Sequence, residues 1–119
     1  MKPLFICYDR CSTCQRAKKW LDDRQAAYDA RPIKEENPTA EELRAWQKMS
    51  GKPLKSFFNT SGMKYRELDL KNRLPKMTEE EALALLASDG MLVKRPLLIT
   101  DSAACPGFQE KAWEEALKG

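Results

Sequence analysis

The sequence predicts a single α/β domain in the order βαβ, a helical insertion, then ββα. Three observations carry that expectation. An apolar run, Leu4 to Tyr8, leads through two closely spaced cysteines into a helical pattern. From Lys34 to Met77 there is little strand signal, and a second continuous apolar run, Leu97 to Thr100, arrives late in the chain. A short apolar run bounded by turn residues reads as a buried strand, whereas apolar residues recurring every three to four positions read as a helix. The expected core is about residues 1–33 and 90–119, with the insertion at about 34–89.

Taken in order, Leu4–Tyr8 forms the first strand, and Asp9-Arg10 turns it into Cys11-Ser12-Thr13-Cys14. Ser12 and Gln15 have the S-x-x-Q spacing of a capping box, so the first helix should begin at about Ser12. Cys14, Ala17 and Leu21, with Trp20 beside them, form its inward stripe; Arg16, Lys19, Asp22 and Asp23 form the wet face. Ala27–Arg31 reads as a second strand ended by Pro32. Asn37-Pro38-Thr39 opens the next helix, with Thr39 and Glu42 as a capping box and Leu43, Trp46 and Met49 following at helical spacing. Ser50-Gly51-Lys52-Pro53 ends it, with Gly51 as the stop.

Leu54, Phe57 and Phe58 make a compact apolar turn before Asn59-Thr60-Ser61-Gly62. Tyr65, Leu68 and Leu70 continue a short helical pattern that Leu74-Pro75-Lys76 stops. Thr78 and Glu81 mark a third capping box, ahead of Ala82, Leu83, Leu85 and Leu86. Glu79-Glu80-Glu81 complements the positive end of that helix and Asp89-Gly90 closes it. Met91-Leu92-Val93 returns to strand character and leads through Lys94-Arg95-Pro96 to Leu97–Thr100, a strand buried on both faces. Asp101-Ser102 turns into a short strand near Ala103-Ala104-Cys105, Pro106-Gly107 breaks it, and Phe108, Ala112, Trp113, Ala116 and Leu117 form a last amphipathic helix.

Composition narrows the classes of function. The chain has 119 residues, 42% hydrophobic and 33% charged, as suits one soluble globular domain. Its net charge of +3 comes from 21 basic residues interleaved with 18 acidic ones, a mixed solvated surface and not a nucleic-acid footprint. No apolar run approaches the ~20 residues that span a bilayer, and the first run is too short for a signal peptide. The expectation is a cytoplasmic monomer with no membrane and no direct nucleic-acid contact. Four cysteines in that setting are catalytic, metal-binding or simply buried. Histidine is absent, which removes Cys–His pairs, histidine metal sites and imidazole proton shuttling.

Cys11-Ser12-Thr13-Cys14 is the stretch that carries chemistry. A thiol at a helix start lies near the positive end of the helix dipole and near unpaired N–H groups, which favour the thiolate. C-x-x-C beside a βαβ pattern points to a thioredoxin-like redox motif, with the second sulfur one turn on and able to attack a mixed disulfide. A structural zinc site would have to recruit Cys7 and Cys105 to reach four ligands. Cys7, inside a strand, reads as an inert buried thiol; Cys105, near a loop, is a candidate third redox thiol. Arg95-Pro96 is the second constellation. In thioredoxin-like folds a cis-proline ahead of the third strand faces the active-site helix, and Arg95 there would add positive charge near Cys11 and could hold an anion.

Tyr8 to Cys14, Phe58-Asn59-Thr60-Ser61-Gly62, Gly90 to Pro96 and Pro106-Gly107-Phe108 together resemble the ArsC/Spx family. Its members include glutaredoxin-coupled arsenate reductases and the Spx and MgsR transcriptional regulators. The resemblance covers nearly the whole chain and implies a thioredoxin-like (glutaredoxin-like) fold with a helical insertion. It places Cys11 at the nucleophilic position, Arg95 at the strand-preceding arginine, and Arg95 with Pro96 against the substrate. Arsenate reductases of this type use one cysteine in a C-x-x-S context and two further arginines; here Cys14 stands at the serine-like position, and Arg66 is the candidate for an extra arginine. The C-x-x-C matches the Spx branch, whose pair forms a redox-sensing disulfide and whose function runs through RNA polymerase. The implied chemistry is a Cys11–Cys14 disulfide, with no metal or organic cofactor and electrons from glutathione, glutaredoxin or thioredoxin. The implied partners are a thiol reductant or a small oxyanion, with RNA polymerase for the regulator.

Overall fold

The structure, a computed structural model, describes residues 2–118. Four strands, β1 (Leu4–Cys7), β2 (Asp29–Pro32), β3 (Leu97–Ile99) and β4 (Ala104–Pro106), form one sheet in the order β2-β1-β3-β4. β2 runs parallel to β1, with Leu4 opposite Asp29 and Cys7 opposite Pro32. A parallel neighbour requires a crossover, and α1 (Ser12–Asp23) makes it. β3 and β4 are antiparallel, pairing Leu4 with Ile99 and Leu98 with Cys105. Pro32 closes β2 without loss because β2 is an edge strand.

Side chains alternate across the sheet and divide the core into two layers. Phe5 and Leu98 face α1 and α6 (Glu110–Lys118), where Ala17, Leu21, Trp113 and Ala116 are buried with them. Ile6, Leu97 and Ile99 face the other way, onto the helices inserted between β2 and β3. Those are α2 (Ala40–Ser50), α3 (Met63–Glu67), α4 (Leu70–Arg73) and α5 (Glu79–Ser88). The fold is therefore a thioredoxin-like βαβ-ββα core with a helical insertion. Among the described residues no helix is long and apolar enough to cross a membrane.

Two of the three expected capping boxes form. Thr39 and Thr78 each accept from the backbone of the glutamate three residues on, and Glu42 and Glu81 return the bond. Gly51 ends α2 at φ 67°, the left-handed conformation a helix-stopping glycine supplies. Glu42 also takes both terminal nitrogens of Arg31, at 2.7 and 2.8 Å, tying β2 to α2.

The first expected box does not form. Cys11, not Ser12, is the N-cap: its carbonyl already accepts from Gln15 N–H, and the Gln15 side chain donates to the Asp9 carbonyl at 3.0 Å. The second strand begins at Asp29, two residues later than expected, and includes Pro32. Met49 is exposed at the end of α2 and not part of its inward stripe. Met91-Leu92-Val93 is not a strand. Asp89 accepts from Met91 N–H at 2.9 Å and winds Gly90–Leu92 into a 3-10 turn, leaving Val93 as a single bridge to Phe58. Gly90 is required there because a Cβ would collide with the Ile33 carbonyl.

Candidate functional site

Cys11 stands where β1 hands over to α1. Its N–H donates to the Tyr8 carbonyl at 3.0 Å, which closes the turn and sets the sulfur at the helix start, half-buried. Cys14, one turn on, points inward and is 3% exposed; its Sγ accepts from Tyr8 N–H at 3.4 Å. Both are free thiols.

Their acidities diverge. Partial burial works against the Cys11 thiolate. The N–H and thiol of Cys14, the N–H of Thr13 and the charge of Arg95 outweigh it, so the net shift is downward. Burial pushes Cys14 up to about 12; the Tyr8 N–H opposes this, while hydrogen bonding to Cys11 and the nearby Cys11 and Cys7 sulfurs add to it. The arrangement favours the thiolate at Cys11 over one at Cys14, with the Cys14 thiol donating to Cys11.

Cys11 opens onto a cleft of about 490 Å³ shared with Thr13, Asn59, Ser61, Lys94 and Arg95. Arg95-Pro96 is a cis peptide. The Arg95 guanidinium lies 5.1 Å from the Tyr8 ring centroid and donates to the Met91 carbonyl at 3.4 Å, and its charge acts on the Cys11 thiol. Pro96 is buried, its carbonyl accepting from Gly107 N–H at 2.9 Å, and Arg95 and Lys94 form the wall on that side. Arg66, the candidate extra arginine, is exposed on α3 and does not line the cleft.

The other two cysteines stand apart from the cleft wall. Cys7 faces the α1/α6 layer but is only half-buried, short of the full burial expected; burial raises its pKa, with Asp9 adding to the rise. Cys105, on β4, is likewise raised by burial, with Lys52 acting in the opposite sense. Among the described residues no group of three or more cysteines and carboxylates is placed to hold a metal ion.

Residues 7–116 match the model of the ArsC family. The chain belongs to the ArsC family. The uncharacterized protein YusI of Bacillus subtilis (strain 168) is 50% identical over 115 residues, covering 97% of this chain and 98% of its own. A crystal structure of an ArsC family related protein from Bacteroides fragilis is 54% identical, covers 98% of each chain and superposes with a TM-score of 0.94. The regulatory protein MgsR of Bacillus subtilis (strain 168) is 28% identical over 104 residues, covering 87% of this chain and 81% of its own. ArsC-family membership supports a thiol redox function in general.

Against that family background, the cleft holds groups that lie within the segments carrying the resemblance but were given no role in the site by sequence reasoning. Asn59 and Ser61 come from the polar turn after Phe58, and Lys94 supplies a second cation beside Arg95. Lys94 reaches the cleft because Gly107, at φ 80°, leaves its path clear; a Cβ on Gly107 would sit 3.1 Å from Lys94 Cε. Neighbours in an extended segment usually point to opposite faces, so adjacency to Arg95 was no signal for Lys94. Asn59-Thr60-Ser61-Gly62 carried one, as a conspicuously polar turn following a buried phenylalanine pair.

Proposed function

We propose that this protein is a thiol–disulfide redox protein in which Cys11 attacks and Cys14 resolves. The observation that carries the reading is the split between the two thiols: Cys11 lowered and open to the cleft, Cys14 buried behind it and pushed up to about 12. Cys11 thiolate attacks one sulfur of an oxidised substrate, forming a mixed disulfide and releasing the other sulfur as a thiolate. Cys14 gives up its proton and attacks Cys11 Sγ; the substrate leaves as its second thiolate and a Cys11–Cys14 disulfide remains. Two electrons have moved from the pair to the substrate. Glutathione, glutaredoxin or thioredoxin returns them, and no metal or organic cofactor takes part. Arg95 and Lys94 suit a small oxyanion or an anionic thiol reductant in the cleft.

The regulatory protein MgsR favours a second reading, a regulator, for which the resemblance to Spx implies redox sensing and contact with RNA polymerase, and the paired cations keep arsenate reduction as a third. Wild type, Cys11→Ser and Cys14→Ser should be compared in reduction of a small disulfide and in glutaredoxin-coupled arsenate reduction. The proposal expects wild type to reduce the disulfide and both variants to lose turnover. Arsenate reduction that survives Cys14→Ser would identify a reductase resolved by its partner. Inactivity in both assays, with RNA polymerase recovered in a pull-down, would identify the regulator and contradict the proposal.

A further inference from the structure

Three depressions on one face share their walls. The cleft at Cys11 and a neighbour of about 350 Å³ have Lys94 and Pro106 in common. A third, of about 200 Å³, joins that neighbour at Lys52, Pro106 and Gln109. Together they make a groove that starts at the Cys11 thiol and carries Arg95, Lys94, Lys55 and Lys52 along its length. No aspartate or glutamate lines any part of it, although the chain has 18 acidic residues. Some cations elsewhere are paired: Lys18, Lys19, Arg31 and Arg44 each meet a carboxylate at 2.5–2.9 Å. Among the described residues none of the four groove cations has such a partner.

The geometry points to a docking track for an extended acidic segment of a partner protein, whose disulfide is presented to Cys11. This rests on the thiol–disulfide reading and names its substrate class. A small oxyanion is satisfied by Arg95 and Lys94 beside the thiol, so it leaves Lys52 and Lys55 unused. A chain bearing several carboxylates uses all four. Gln109, Asn59 and Ser61 add amide and hydroxyl groups that can bond an extended backbone. A single-stranded nucleic acid fits less well, because such sites stack bases on open rings. Phe58 is 1% exposed, and Phe108 is occupied edge-on by Trp20 and Trp113. The exchange itself is the one already written: the partner disulfide gains two electrons, leaves as two thiolates, and Cys11–Cys14 is oxidised.

The test is fluorescence anisotropy at low salt with the full-length Cys11→Ser protein. Its probes are an acidic peptide, a basic peptide of equal length, and a single-stranded oligonucleotide of matched charge. The acidic peptide should bind about tenfold more tightly than the basic one, with the preference fading as salt is raised. Lys52→Gln/Lys55→Gln, which leaves Arg95 and Lys94, should weaken the preference, and Lys52→Glu/Lys55→Glu, which cancels the groove's charge, should abolish it; circular dichroism checks that both stay folded. Equal affinity for the two peptides, a preference indifferent to the charge swap, or tighter binding of the oligonucleotide would overturn the proposal. Wild type is separately offered a small neutral disulfide. Failure to reduce it sinks the thiol–disulfide reading, while the anisotropy still decides the groove.

Discussion

At Cys11, hydrogen bonds from Cys14 and Thr13 and the charge of Arg95 act against partial burial and carry the thiol below its ordinary value. Replacing Arg95 by Gln removes the cation, so the Cys11 pKa rises and the thiolate fraction near neutral pH falls. Iodoacetamide labelling of Cys11 should slow by roughly threefold to tenfold in Arg95→Gln, with the pH profile shifted to higher pH. An unchanged profile would remove Arg95 from the account. Cys14, held near 12 by burial, should resist labelling in the folded protein up to strongly alkaline pH. Much of this was readable from C-x-x-C after an apolar run, because spacing alone puts two sulfurs on one helical turn. The capping role of Cys11 was not, since Ser12 and Gln15 offered a better-looking signature one residue later. Lys94 was hidden for a different reason: its place in the cleft depends on Gly107, distant in sequence.

Among the elements, α2 shows how one side chain serves two purposes. Glu42 completes the Thr39 capping box and pairs with Arg31, whose hydrogen bonds lead the causes that hold its carboxyl at about 2, against an ordinary 4.5. A depressed carboxyl stabilises the fold above its unfolded pKa, and that contribution is lost as pH falls through the folded one. The loss therefore spans the interval from about 4.5 down to about 2. Glu42→Gln keeps a capping amide and removes the charge. It should cost about 1 kcal/mol at neutral pH, a modest figure because the Glu42 side chain is 34% exposed and water screens the pair. Urea titrations should show the difference shrinking toward pH 2; a constant difference would place the effect outside the ion pair. Thr78→Ala, which removes the hydroxyl that accepts from Glu81 N–H, should cost about 1 kcal/mol by the same measurement. Both caps were legible because they are local. The 3-10 turn at Gly90–Leu92 was not, because three apolar residues read as strand until the Asp89 side chain takes Met91 N–H.

Across the whole molecule, the insertion is strapped to the core directly beside the thiol. Lys94 N–H donates to the Phe57 carbonyl at 2.7 Å and Asn59 N–H to the Leu92 carbonyl at 2.8 Å. Those bonds bring Asn59 and Ser61 over the cleft and align Lys94 and Arg95 along its wall. The sequence announced the order of elements and the inward stripes, with Ala17 and Leu21 on α1, Leu83 and Leu86 on α5 and Trp113 on α6, but not the division of the core into two layers. It did not announce the strap, a non-local pairing of two short segments. Trp113 is fully buried and packs edge-on against Phe5, Trp20 and Phe108. Trp113→Ala should destabilise the protein by roughly 3–5 kcal/mol in chemical denaturation. The most direct test of the central claim is peptide mapping by mass spectrometry after mild oxidation of the native protein. The account predicts a Cys11–Cys14 linkage as the first product, formed while Cys7 and Cys105 remain reduced. Cys11 and Cys14 both staying reduced, or Cys11 bonding elsewhere first, would contradict it.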